Sequence, residues 1–143
     1  MASKVVDKIN SVLQSEIAAV ETYEQALQKI DDPVAQPDLL AAQKSHAFRA
    51  EKLKEAVSLL GGEPELSSGV KGVFAKTAEG TASLFGEKAA IAVLEDGEDR
   101  NLEEYEKLMN EPEEDLQEIA KFMLKEEKEV HDRISRLKKQ LQK

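Results

Sequence analysis

The chain has no cysteine and no tryptophan, and only 4% of its 143 residues are aromatic. The absence of cysteine excludes disulfides, zinc fingers, iron–sulfur clusters and thiol nucleophiles. No apolar run approaches the ~18 residues of a membrane-spanning helix, and no apolar signal core follows the first residues. The sequence therefore predicts a soluble, cytoplasmic protein.

Basic residues are scarce as well. Only four residues are arginine, no basic cluster occurs, and the net charge at pH 7 is −9. An acidic chain of this kind is a poor ligand for nucleic acid, and an anionic membrane surface repels it. We therefore expect neither nucleic acid nor a membrane among its partners.

The sequence is rich in residues that favour helices. About half of the chain is Ala, Glu, Lys, Leu or Arg, a composition typical of long helices. No stretch alternates polar and apolar residues as a half-buried strand would. The length predicts one domain that spans residues 1–143. Four amphipathic helical patterns fall at about 3–31, 38–60, 87–110 and from about 112 onward.

The connections between these patterns differ in length. Residues 31–37 and 110–112 are short links, so we expect helices one and two, and helices three and four, to be antiparallel neighbours. Residues 61–86 form a long connection that holds six of the seven glycines and has the pattern of a short amphipathic helix. The predicted fold is an all-α four-helix bundle with a long crossover, containing a short helix, between helices two and three. Those two helices then run parallel.

Charged side chains interrupt the apolar stripes near the middle of each helix. An isolated charge in a core is costly, so each requires an opposite charge or a metal. The residues concerned are Glu16 in helix one, His46 and Arg49 in helix two, Glu95 or Glu98 in helix three, and Glu127 with His131 in helix four. Two interpretations remain open. Carboxylates and imidazoles from facing helices suit a bundle-core metal, whereas Arg49 would neutralise the carboxylates without any metal.

Several segments, in the same order along the chain, resemble ferritin-like proteins. The residues that carry the resemblance are Glu16 seven positions before Tyr23, Arg49–Leu53 followed by Leu60–Pro64, Glu98 seven positions before Tyr105, and Lys125–His131. The glycine-containing segments Leu60–Pro64 and Asp96–Asp99 look closer still to a bacterial ferritin-like family of unknown function. The resemblance implies a ferritin-like four-helix bundle and a metal centre built from its core carboxylates and histidines.

The resemblance also has clear departures. A di-iron pattern requires Glu-x-x-His on helices two and four. Helix two instead has His46 in the glutamate position and Arg49 in the histidine position, and in helix four His131 falls one position late. The candidate metal ligands that the resemblance implies are Glu16, His46, Glu98, Glu127 and His131.

The function that we favour from the sequence is a ferritin-like bacterial protein of unknown physiological role, with a metal ion in the bundle core as one interpretation. Iron or manganese would be the ion, and a centre without any cofactor is the equal alternative. The other candidate functions are a metal-dependent oxidase or peroxide-handling enzyme with two iron or manganese ions, and a helical interaction module without metal. Whether the protein is an enzyme stays open.

The long connection carries an apolar cluster on a glycine-rich background. Its members are Val70, Val73, Phe74, Leu84 and Phe85. Because an exposed apolar patch often marks an interface, we expect a homodimer.

Overall fold

The computed structural model describes residues 2–69 and 86–142. In these two ranges the chain forms four α-helices and no strand, so the predicted all-α four-helix bundle is confirmed. The helices are α1 (Ala2–Lys29), α2 (Ala35–Leu59), α3 (Glu87–Met109) and α4 (Glu114–Gln142). None of these helices combines the length and the hydropathy that crossing a membrane requires.

Helix α2 begins at Ala35, three residues before the predicted start. Its first turn includes Pro37, whose missing N–H costs nothing because the first turn of a helix has no intrahelical acceptor for it. The preceding turn is held by Asp32, whose side-chain Oδ1 accepts the N–H of Val34 at 2.7 Å. The Gln36 side chain then donates to the carbonyl of Leu27 at the end of α1. The link between α1 and α2 is therefore shorter than predicted.

Two glycines end α2. Gly61 has a φ of 80°, a left-handed conformation that favours glycine. Gly62 lies so close to α1 that an added Cβ would come within 2.7 Å of Val6 Cγ1. The pair therefore stops the helix and lets the chain pass close against α1.

The four helices occupy the corners of a square. The most extensive packing is between α1 and α2 and between α3 and α4, with α2 against α4 and α1 against α3 as the smaller faces. Among the described residues, α2 and α3 lie on opposite corners, where their backbones do not come close to each other.

Two apolar clusters fill the interior, one toward each end of the bundle. The first includes Ile9 of α1, Leu53 of α2, Leu108 of α3 and Leu116 of α4. It thus joins the start of α1 and α4 to the end of α2 and α3. The second cluster joins the opposite ends of the helices. It contains Ile30, which follows α1, and the late residues of α4, together with the early residues of α2 and α3. Helices α2 and α3 therefore run in the same direction.

The course of the long connection lies outside the described residues, since residues 70–85 belong to neither range. This applies to the short helix predicted there and to the apolar cluster from which we expect a homodimer. Both stay predictions.

Two leucines of α2 test the assignment of the core. Leu53 is fully buried in the first cluster, whereas the side chain of Leu59 is 87% exposed. We expect Leu53→Ala to lower the free energy of unfolding by about 2–5 kcal/mol, because it removes buried methyl groups and leaves a cavity. The matched change Leu59→Ala should alter it by less than about 0.5 kcal/mol. Urea denaturation followed by circular dichroism measures both, and equal effects would contradict this packing.

Candidate functional site

A layer of polar side chains separates the two apolar clusters. All of its members are at most 5% exposed, and every helix contributes. We call it the polar layer; it consists of Glu16 and Tyr23 from α1, His46 and Arg49 from α2, Glu98, Asn101 and Tyr105 from α3, and Glu127 from α4. Glu16 and Tyr23 of α1 are seven residues apart. Glu98, Asn101 and Tyr105 of α3 are separated by three and then four residues, so each set lies on one face of its helix.

Glu16 accepts four hydrogen bonds. Its Oε1 accepts from His46 Nδ1 at 2.5 Å and from Asn101 Nδ2 at 3.0 Å. Its Oε2 accepts from Arg49 Nε at 2.6 Å and from the Tyr105 hydroxyl at 2.5 Å. Burial opposes ionisation, but Arg49 and His46 outweigh it and lower the pKa of Glu16 to about 2. Glu16 is therefore a carboxylate with both oxygens fully used.

Arg49 joins two of the acidic residues. Besides its bond to Glu16, its Nη2 donates to Glu127 Oε1 at 2.8 Å and its Nη1 donates to Ser45 Oγ at 2.6 Å. Burial works against the charge, yet Glu16 and Glu127 raise the pKa of Arg49 further above its ordinary value. The guanidinium is thus a fixed positive charge in the middle of the bundle.

His46 lies between two carboxylates. Its Nδ1 contacts Glu16, and its Nε2 lies 2.8 Å from Glu98 Oε2. The Tyr23 ring stacks on the imidazole with centroids 5.5 Å apart. Burial favours the neutral ring, but Glu98 and Glu16 raise the pKa of His46 to about 9. His46 is therefore protonated at neutral pH and donates from both nitrogens.

Glu98 and Glu127 form a pair of carboxyl groups. Glu98 Oε2 accepts from Tyr23 and His46, and Glu127 Oε1 accepts from Arg49 and from Asn101 Nδ2. The remaining oxygens, Glu98 Oε1 and Glu127 Oε2, have no hydrogen-bond partner within residues 2–69 and 86–142. Burial and the adjacent Glu98 raise the pKa of Glu127 well above its ordinary value. Glu127 therefore favours its protonated, neutral form beside Glu98.

These protonation states balance the charge of the polar layer. Glu16 and Glu98 are negative, His46 and Arg49 are positive, and Glu127 is neutral. In these favoured states the charges of the layer sum to zero, which lowers the cost of burying them away from water.

The structure brings together four of the five predicted ligands: Glu16, His46, Glu98 and Glu127. It does not bring His131 to them. The His131 side chain lies at the surface, where Nε2 contacts Asp99 at 2.6 Å and Nδ1 contacts Asp132 at 3.3 Å. Glu95, the alternative to Glu98, also lies outside the layer and contacts Ser135 and Lys138. Each directly follows a buried core residue, Leu94 in α3 and Val130 in α4, and its side chain lies at the partly exposed edge between these two helices.

Asn101 belongs to the layer, although the sequence argument did not select it. Its Nδ2 donates to both Glu16 and Glu127 at 3.0 Å and so links α1 to α4. The signal was present in the spacing, because 98, 101 and 105 occupy one helical face. It was missed because burying an unpaired amide costs less free energy than burying an unpaired charge, so only the charged residues were singled out.

Part of the layer has the composition of a metal site. One ligand atom each from His46, Glu98 and Glu127 lies within 4.8 Å of the others. Glu16 is not in this set, and its four donors occupy both of its oxygens. One imidazole and two carboxylates suit divalent transition metals.

Replacing Arg49 tests the charge balance of the layer. We expect Arg49→Met to lower the free energy of unfolding by about 3–5 kcal/mol, because Glu16 and Glu127 lose a buried cation. The control is Arg133→Met, which removes a pair with Asp38 at the surface, where the Arg133 side chain is 44% exposed. Its expected effect is below about 1 kcal/mol. Urea denaturation of both variants gives the comparison, and similar losses would contradict the buried network.

The protonation of His46 predicts a pH dependence. Its pKa of about 9 in the folded chain lies above the ordinary value of 6.5. The resulting stabilisation is fully present below about pH 6.5 and is lost as the pH rises through about 9, with a slope near 1 kcal/mol per pH unit. Urea denaturation across this range should show the decline in wild type and a weaker decline in His46→Gln. Burial lowers the pKa of His131, but Asp99 and Asp132 outweigh it, so this pKa is raised as well. Because His131 is partly exposed, His131→Gln should weaken the decline less than His46→Gln does, and a flat wild-type profile would contradict the assignment.

The comparisons with known proteins give a family. Residues 4–111 match the family model described as "Domain of unknown function (DUF2383)". The matched segment contains every member of the polar layer except Glu127. No curated protein and no solved structure matches the chain. Because the match covers three quarters of the sequence, the chain belongs to the DUF2383 family.

Proposed function

We propose that this protein is a ferritin-like four-helix bundle that binds one divalent transition-metal ion through His46, Glu98 and Glu127. The observation that carries the proposal is a pair of buried oxygens, Glu98 Oε1 and Glu127 Oε2, that have no hydrogen-bond partner among the described residues and belong to side chains beside the His46 imidazole. Buried carboxylate oxygens without such a partner are unusual in a core, and a cation is a partner that would use both.

The donor set limits the choice of ion. One nitrogen and two carboxylate groups favour manganese, iron or zinc over calcium, which prefers oxygen ligands alone. Three protein ligands also leave positions open for water. The remaining members of the polar layer would hold these ligands in place, since His46 Nδ1 contacts Glu16 and Glu127 Oε1 accepts from Arg49 and Asn101.

The same contacts favour one ion over two. A second ion would need further ligands, yet both oxygens of Glu16 are occupied and the Arg49 guanidinium lies between Glu16 and Glu127. His131 pairs instead with Asp99 and Asp132. A two-metal oxidase is therefore supported less well than a single-ion site.

The variant Glu127→Gln separates metal binding from folding. Glutamine resembles the protonated form of Glu127, because its amide donates toward Glu98 while its oxygen still accepts from Arg49. We expect the metal-free variant to keep the wild-type melting temperature. After chelation and dialysis, wild type should bind one Mn²⁺ per chain in isothermal titration calorimetry, and Mn²⁺ should raise its melting temperature by mass action. The variant should lose both responses.

The matched control is Glu95→Gln. It makes the same substitution on α3 at a carboxylate that contacts Ser135 and Lys138 outside the polar layer. It should bind Mn²⁺ like wild type. The proposal fails if wild type binds none of Mn²⁺, Fe²⁺ and Zn²⁺, or if Glu127→Gln binds Mn²⁺ as tightly as wild type. Two tightly bound ions per chain would overturn the single-ion site.

A further inference from the structure

A cavity of about 530 Å³ opens between α1 and α3 and extends to the polar layer. Charged side chains of α3 lie at its outer edge, and its inner wall includes Tyr23, His46 and Glu98. His46 and Glu98 are two of the three ligands of the proposed metal site. The cavity therefore connects the surface of the bundle to the neighbourhood of that site.

The outer edge of the cavity has charges of both signs. Arg100 and Lys107 are positive, and Glu103 and Glu104 are negative. Since these charges sum to zero, the edge presents no net electrostatic barrier to a cation. The whole chain has a net charge of −9, which attracts cations to its surface.

Within the described part of the chain, the other approaches to the polar layer are less favourable for a cation. Apolar clusters pack against the layer from both ends of the bundle. The fully buried Arg49 guanidinium lies between α2 and α4, where it donates to Ser45 and Glu127. A cation on these paths meets aliphatic side chains or a fixed positive charge. The cavity between α1 and α3 avoids both obstacles.

The inner end of the cavity is closed by a side chain. Glu98 Oε1 and Glu127 Oε2, the oxygens that the proposed ion uses, are buried. An ion in the cavity reaches them only if part of the inner wall moves. Tyr23 lines this wall and is 2% exposed; its hydroxyl donates to Glu98 and its ring stacks on His46. Tyr23 thus lies between the cavity and two of the ligands.

The cavity gives the Tyr23 ring space in which to turn. Its sides include two small, half-buried residues, Ala19 of α1 and Gly97 of α3. In a close-packed core few voids are larger than a water molecule, so a buried aromatic ring has no such space. Tyr23 differs from an ordinary core tyrosine because one side of it faces a volume that can accept its ring.

We propose that the cavity between α1 and α3 is the entry route of the metal ion and that Tyr23 is its inner gate. The gate opens when the Tyr23 hydroxyl releases Glu98 and the ring turns toward Ala19 and Gly97. Glu98 and His46 are then accessible from the cavity. This inference rests on the proposed metal function, because it assigns a route and a gate to the same site.

A gate that closes again over the ion changes rates and leaves affinity nearly unchanged. Tyr23 donates to Glu98 Oε2, whereas the ion uses Oε1, so the same hydrogen bond closes the gate before and after binding. A weaker gate therefore raises the association and dissociation rate constants together, and their ratio, Kd, stays the same. A tyrosine that only held Glu98 in position would change Kd instead.

Tyr23→Phe tests the gate, because it keeps the ring and removes the hydrogen bond to Glu98. The metal-free, full-length protein is mixed with Mn²⁺ in a stopped-flow fluorimeter, and release is started with excess chelator. The chain has no tryptophan, so the signal quenched by Mn²⁺ comes from its two tyrosines, and Tyr105 reports in the variant. We expect both rate constants to rise at least about tenfold, the effect of one lost hydrogen bond to a charged group, and Kd to stay within about threefold.

The matched control for the gate is Thr22→Val. It removes a hydroxyl from the same wall of the cavity, but this hydroxyl donates to the Ala18 carbonyl at 2.8 Å and not to a metal ligand. Its association and dissociation rate constants should equal those of wild type.

A second variant tests the route. Ala19→Leu fills the space into which the Tyr23 ring turns, so it should slow association and release at least about tenfold by crowding the open state. The matched control, Ala41→Leu on α2, makes the same change at a half-buried alanine that does not line the cavity. It should keep the wild-type rate constants. If Ala19→Leu does not fold, the comparison of Tyr23→Phe with Thr22→Val decides.

Three results would overturn this inference while the metal site stands. They are unchanged rate constants in Tyr23→Phe, a changed Kd with an unchanged association rate in that variant, and unchanged rate constants in a folded Ala19→Leu variant. Calorimetry of wild type separates the two proposals. If wild type binds no Mn²⁺, the metal function fails and the route fails with it, whereas normal binding with unaltered kinetics refutes the route alone.

Discussion

Burial of charge in the middle of the bundle is the constraint on which the other features depend. Five ionisable side chains lie where water cannot solvate their charge, so each must be paired or neutral; they are Glu16, His46, Arg49, Glu98 and Glu127. Glu16 meets this condition by accepting four hydrogen bonds, which tie α1 to α2 and α3. Arg49 extends the connection to α4 through Glu127. Two side chains thus join all four helices at one level, and the apolar clusters pack above and below this level.

The polar layer contains two parts with different chemistry. Around Arg49, every charged group has a partner of opposite sign, and this part resembles a structural ion network. Around Glu98 and Glu127, the raised pKa of Glu127 favours its protonated form, and one oxygen of each acid has no hydrogen-bond partner in the described part of the chain. The two interpretations left open by the sequence, an arginine network and a metal site, therefore apply to neighbouring parts of one cluster. We propose the ion for the second part only.

Much of this arrangement was predictable from helical periodicity. The apolar stripes of the four helices pass through Glu16, His46, Glu98 and Glu127, because the polar layer occupies core positions in all four helices. Periodicity fails where a residue lies on the border of a stripe. His131 is one turn beyond Glu127, and the small rotation of successive turns moves it to the surface beside Asp99. The hydrogen-bond partners were not predictable, since they depend on rotamers and on distances between helices, and Asn101 carried no charge to draw attention to it.

The two apolar clusters would tolerate a shift of one helix along its neighbours, because leucine, isoleucine and valine are similar in shape. The polar layer would not tolerate such a shift. A slip of α2 by one turn moves His46 and Arg49 by about 5.4 Å along the axis, which places them among aliphatic side chains and leaves Glu16 without its cations. Such misaligned states are penalised by unpaired buried charge, in the way that a single buried polar residue sets the alignment of a coiled coil. The polar layer thus fixes the register of the helices along the bundle axis, and it selects one register from several that hydrophobic packing alone would allow.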